Sequence, residues 1–178
     1  MKRPRAAAGE TSEPRAVRTR TPEQALAALM RLCARAEKTR SDALRLMRGW
    51  GIAEADAERI VARLVADRFI DDARYAEAFV REKQRLSGWG EYKIRTALQR
   101  KRIARETIDA ALEQIDRSKA GERLAGLLAR KMRTVKYATQ YDLKTKLIRY
   151  GLSLGYDYET VADAVAPLVK ETDLCDEF

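Results

Sequence analysis

The apolar set Ala43, Met47, Ile52 and Val61 has internal spacings of 4, 5 and 9, and it returns as Ile94, Leu98, Ile103, Leu112 and again as Leu143, Leu147, Leu152, Val161. The copies are offset by 51 and then 49 residues, and Leu29, Phe79 and Leu128 precede the third member of each set by 23, 24 and 24 positions. A period near 50 residues built from helices marks a chain assembled from a row of similar units rather than one globular bundle. Within each copy the apolar positions follow helical spacing and are interrupted by caps and glycines, so one unit holds about three helices. The expected fold is all-α: an elongated row of three tandem three-helix modules rather than one bundle.

Local signals place the helices. Thr21-Pro22-Glu23-Gln24 reads as a cap, a proline at the first helical position and a glutamine reaching back, opening a helix over about 22–37. Ser41 is the expected cap of a second helix that stops at Gly49 or Gly51, and a third covers about 55–66. Asp71-Asp72 opens the middle unit, because either carboxylate can accept from the unpaired amides of the helix carrying Tyr75, Ala76, Phe79 and Val80. That helix ends at Gly88 and is followed by helices over about 91–101 and 105–116, then 117–137, 140–150 and 157–169. The modules should occupy 21–69, 70–116 and 117–169, flanked by a disordered basic arm at 1–20 and an acidic tail at 170–178.

The charge of +9 is unevenly laid along the chain. Residues 22–80 carry ten basic and ten acidic side chains, whereas 81–105 carry nine basic residues against Glu82 and Glu91 alone. A second surplus, ten against three, lies in 116–150, and 151–178 hold one lysine against seven acids. Where acids do not alternate with bases a helix face keeps its positive field, which suits phosphates or an acidic protein groove. The candidate face is Arg81, Lys83, Arg85, Lys93, Arg95, Arg100, Lys101 and Arg102 in the middle module, with Arg130, Lys131, Arg133, Lys136, Lys144, Lys146 and Arg149 in the last. Trp89, between two glycines, is either a stacking anchor or a ring closing the junction of two helices, and Tyr92 is a second candidate anchor. Tyr137, Tyr141, Tyr150, Tyr156 and Tyr158, at helical spacing, are expected in core or half-buried positions.

What the chain lacks narrows its chemistry. Without a histidine it cannot build a Ser-His-Asp or Cys-His arrangement or a His-containing zinc site. Cys33 and Cys175 are too few for a disulfide framework and read as reduced thiols of the cytoplasm, Cys33 on the apolar stripe of the first helix. No nucleotide-binding G-x-x-x-x-G-K-[ST] loop, metal cluster or membrane-length apolar run occurs, so the expectation is a non-enzymatic, cofactor-free monomer away from membranes.

The segment Phe69-Ile70-Asp71-Asp72-Ala73-Arg74-Tyr75-Ala76, continued by Glu77 to Arg81, then Gly88-Trp89-Gly90-Glu91-Tyr92-Lys93-Ile94-Arg95 and Leu98, closely resembles the central signature of the RecX regulatory family. The likeness extends over about 22–169 through the triplet organisation, with Arg40-Ser41 and Lys146-Leu147-x-Arg149-x-Gly151 as weaker matches. The family typically places a glycine in the turn after the second helix of the middle unit, where this chain has Lys101-Arg102-Ile103. The resemblance implies a helical protein that binds a RecA-type recombinase filament on single-stranded DNA, lies in its groove and suppresses ATP turnover and strand exchange. The residues themselves leave open a stand-alone nucleic-acid-binding protein, because attraction to phosphate is independent of any recombinase.

Overall fold

The structure, a computed structural model, describes residues 19–169, so the expected acidic tail and all but the last two residues of the expected arm lie outside the described residues. The helices are α1 (Pro22–Arg35), α2 (Arg40–Gly49), α3 (Glu54–Ala66), α4 (Asp72–Ser87), α5 (Glu91–Arg100), α6 (Arg105–Glu113), α7 (Arg117–Thr134), α8 (Gln140–Ser153) and α9 (Tyr158–Val165), followed by one 3-10 turn at Ala166–Leu168. No strand occurs among the described residues.

Every well-packed pair of helices lies within one triplet: α3 against α1 and α2, α4, α5 and α6 against one another, and α7, α8 and α9 likewise. Three separate cores result. Leu29, Met47, Ile60 and Leu64 fill the first, Val80, Ile94, Leu98 and Ile108 the second, and Leu124, Leu128, Leu147 and Val161 the third. Burying a side chain of this size contributes about 1.5–3 kcal/mol, so each triplet carries its own driving force and owes little of it to its neighbours.

The caps explain where the helices begin. Thr21 accepts from the Gln24 amide while the Gln24 side chain accepts from the Thr21 amide, a reciprocal box. In α2 the cap is the buried Thr39, whose Oγ1 accepts from the Asp42 amide at 3.1 Å, and the expected cap Ser41 sits inside the helix. Both are hydroxyl residues just ahead of the same apolar stripe, so local pattern could not separate them. Arg20, expected in the free arm, is tied down: its amide donates to the Trp50 carbonyl at 3.2 Å and its guanidinium lies 4.1 Å from the centre of the Trp50 ring.

The third copy of the repeat departs from the expected register. After α2 and α5, each ten residues long, the chain turns through a residue with positive φ, Gly51 or Arg102, and enters the next helix. α8 has 14 residues, runs through the buried Gly151 and turns at Gly155. The four extra residues are about one helical turn. Leu152 therefore does not occupy the place of Ile52 and Ile103; it is 41% exposed, and Tyr156 follows the turn instead. Val161 corresponds to Ala57 and Ile108, each four residues past its cap, and Val165 takes the place of Val61 and Leu112. One added turn brings the apolar stripe back to nearly the same face, which is why the spacing looked continuous.

Candidate polyanion-binding clefts

Because the cores are separate, the triplets meet through polar joints. At the joint of the first and second, Glu37 receives two hydrogen bonds from Arg74, at 2.6 and 3.0 Å, and Lys101 Nζ donates to both Asp42 carboxylate oxygens at 2.9 and 3.0 Å. Asp71 is the cap of α4, accepting from the Arg74 amide at 2.9 Å, whereas Asp72 reaches across the joint and accepts from the Arg40 amide at 3.0 Å. Asp42 is almost fully buried. Burial alone would raise its carboxyl, but hydrogen bonds from Lys101, Arg45 and Thr39 and the Lys101 charge outweigh it and hold the group below the ordinary aspartate range. An ionised carboxylate is thus fixed between two triplets.

Around this pair lies a cleft of about 520 Å³ lined by Arg40, Ser41, Asp42, Leu44, Arg45, Arg48, Asp72, Arg100, Lys101 and Arg102. Lys101 and Arg45 neutralise Asp42, and Asp72 is occupied by the Arg40 backbone. Among the described residues no carboxylate pairs with the guanidinium of Arg40, Arg48, Arg100 or Arg102, all four of which are exposed. A second basic cleft, about 350 Å³, lies where α4 meets α7 and gathers Arg85, Arg123 and Arg130 with Glu122. A third cleft, about 820 Å³ between the second and third triplets, has the opposite character: Glu91, Asp157 and Glu159 line it beside Tyr92, Leu152 and Tyr156, and its one arginine, Arg95, is already paired.

The expected basic face therefore divides. Arg95 is held by Asp109 and by Glu91, Lys101 by Asp42, Arg81 by Glu77 at 3.7 Å, and Lys146 by Asp142 at 2.8 Å and by the Lys136 carbonyl. Lys83 and Lys93 are not free cations on an open face, since their ammonium groups lie 5.6 and 4.7 Å from the Trp89 ring centre, and Lys131 lies 5.3 Å from that of Tyr150. Lys144 also has an interaction of its own. Arg85, Arg100, Arg102, Arg130, Arg133, Lys136 and Arg149 remain exposed. Sequence reasoning missed Arg40, Arg45, Arg48 and Arg123, because the first three lie in a stretch of balanced charge and only the joint brings them beside Arg100 and Arg102.

Trp89 is not a free stacking platform. It is half-buried, edge-on to Phe79 with ring centres 6.3 Å apart, and Lys93 beyond it donates to the Ser153 carbonyl of the third triplet at 3.0 Å. Tyr92, by contrast, is 73% exposed. Tyr150 and Tyr156 are half-buried as expected, but Tyr137, Tyr141 and Tyr158 are exposed, a departure from the packing that helical spacing implied. They sit at helix beginnings or in the α7–α8 connection, outside the faces that meet the core.

Three helical triplets with separate cores, joined by polar contacts and carrying exposed arginines in the clefts between them, define a modular all-α helical-repeat protein. The family model described as RecX, second three-helix domain, matches residues 71–112. A regulatory protein RecX of Clostridium botulinum is 32% identical over 104 residues, covering 57% of this chain and 48% of its own length, and that of Streptomyces coelicolor is 28% identical over 173 residues, covering 93% and 92%. The chain spans about half the length of the clostridial relatives it matches. The crystal structure of RecX from Lactobacillus salivarius superposes with a TM-score of 0.74 at 20% identity over 83% of this chain and 96% of the other. The chain belongs to the RecX family.

Proposed function

We propose that this chain is a non-enzymatic, cytoplasmic regulator that binds a RecA-type recombinase filament on single-stranded DNA as a monomer and lowers its ATP turnover and strand exchange. Family membership supports a regulatory role, since the relatives bear the name regulatory protein. The observation that carries the reading is the set of exposed arginines without a carboxylate partner among the described residues, above all Arg85 and Arg130, which line the α4–α7 cleft together. A filament offers DNA phosphates and acidic protein surface along an extended groove, and separate modules with polar joints can follow such a groove. Stand-alone nucleic-acid binding is the second reading, favoured by the same arginines, because phosphate attraction needs no recombinase.

The test is recombinase ATPase on single-stranded DNA with the wild-type chain and with Arg85→Glu, Arg130→Glu and Arg133→Glu combined. Inhibition by the wild type and its disappearance in the triple variant are expected, with helical circular dichroism kept, since exposed charges contribute about 0–1 kcal/mol to stability. Reversal at Arg95 or Lys101 is unsuited to this test. It would place carboxylates beside Asp109, Glu91 or Asp42 and break the packing. A wild-type chain without effect on turnover at concentrations that saturate the DNA would refute the filament reading.

A further inference from the structure

We infer that the cleft between the first and second triplets is a binding site for the sugar–phosphate backbone of single-stranded nucleic acid, made by Arg40 and Arg48 from one triplet and Arg100 and Arg102 from the next. The inference deepens the proposed function by naming one site and its ligand, and it rests on that reading only for the biological setting. Two independent observations carry it.

The first is the electrostatic balance inside the cleft. Six cations line it against two carboxylates, and both carboxylates are engaged: Asp42 by Lys101 and Arg45, Asp72 by the Arg40 amide. The carboxylates serve the joint, and four guanidiniums are left facing one another's field. Like charges gathered in excess of their counter-charge, here six cations to two carboxylates, are unfavourable unless an anion joins them, and a guanidinium presents parallel N–H donors that match two phosphate oxygens. The cleft of about 520 Å³ admits a phosphodiester chain but is too small for a helix or a folded domain.

The second observation is backbone strain. At the turn after the second helix, the first and third triplets use glycine, with φ of +72° at Gly51 and +90° at Gly155, where a residue without Cβ suffers no penalty. The middle triplet makes the same turn with Arg102 at φ +57°. A side-chain-bearing residue in this region is destabilised by about 1–2 kcal/mol, and strain of this kind persists where a side chain is needed for function. What Arg102 adds over glycine is one guanidinium at the cleft.

The experiment is fluorescence anisotropy of labelled oligo(dT) and oligo(rU) with the intact chain, without recombinase, across about 20–200 mM salt. Removing one arginine–phosphate pair should reduce the slope of log K against log salt by about 0.7 and, at about 0.1 M salt, the affinity about five-fold. Arg102→Gly should show the effect of one missing pair, and Arg40→Gln with Arg48→Gln the effect of two, about 25-fold. Both probes should respond alike, because only phosphates are read. Arg31→Gln, which removes an exposed charge outside the cleft, should shift the slope by much less. Arg102→Gly should also melt no lower than the wild type, so its weaker binding is not an unfolding effect. The site is refuted if the cleft variants bind like Arg31→Gln, if the wild type does not bind the probes at the lowest salt, or if the variants lose recombinase inhibition with oligonucleotide binding unchanged, which would place an acidic protein surface in the cleft. A recombinase left uninhibited by the wild type would refute the proposed function and leave these binding data standing.

Discussion

The joint between the second and third triplets rests on a close approach of two glycines, and Gly90→Ala tests it. A Cβ on Gly90 would stand 2.4 Å from the Gly155 carbonyl carbon and oxygen and 2.6 Å from the Tyr156 amide nitrogen. All three are backbone atoms and cannot swing aside. Gly90 itself has φ −79° and ψ 169°, a conformation alanine adopts freely, so α5 suffers only the poorer cap, about 0.5–1 kcal/mol. Bringing the contact to an ordinary 3.4 Å requires the two segments to part by about 1 Å, beyond the reach of a normal hydrogen bond. The bonds at stake run from the Gly90 amide to the Leu154 carbonyl at 2.8 Å, from the Tyr92 amide to the Gly155 carbonyl at 3.1 Å, and from Lys93 Nζ to the Ser153 carbonyl at 3.0 Å. At about 1 kcal/mol each, breaking them destabilises the joint by about 3 kcal/mol. The third core shares no buried residue with the second, so the outcome is undocking rather than global unfolding. Hydrogen exchange should show the Tyr92 amide losing about 100-fold protection while Leu98 and Leu147 keep theirs, and small-angle scattering should report an expanded chain. Retained protection at Tyr92 together with an unchanged scattering profile would refute this account of the joint.

Two further outcomes follow from the first joint. Asp42→Asn should destabilise the chain by about 2 kcal/mol at neutral pH, measured by urea unfolding, because it removes the charged acceptor for Lys101 and Arg45. The Asp42 carboxyl is held below its unfolded value of about 3.9, so its contribution is fully present above that value and disappears as pH falls through the folded one. Acid titration should therefore narrow the gap between wild type and Asp42→Asn below about pH 4, and a constant gap would contradict the assignment. Arg102→Gly should raise stability by about 0.5–1 kcal/mol, the strain relieved less the extra freedom of glycine in the unfolded chain. Arg68, also at positive φ (58°), supplies a second test, and a lower melting temperature for both glycine variants would show that neither turn is strained.

The helical triplets were legible in the sequence because they arise from local periodicity. A residue such as Leu98 or Leu147 is buried in any fold that keeps its helix face dry, and caps such as Thr21 and Asp71 act within three residues of themselves. The same locality set the limits. A four-residue addition in α8 preserves the apolar stripe, so the spacing could not show that Leu152 had been carried to the surface. Charge could be counted along the chain but not paired, since Arg95 finds Asp109 on another helix and Lys101 finds Asp42 across 59 residues. The cleft arginines belong to two triplets, Arg40 and Arg48 with Arg100 and Arg102, and no period links them. Periodicity was enough to mark the helix faces that leave water at positions such as Leu98 and Leu147, though not at Leu152, because burial of a helix face follows from the spacing of its apolar residues. Which of the cleft charges stay unpaired depends instead on the packing of distant segments, because separate cores bring them together through a few polar contacts.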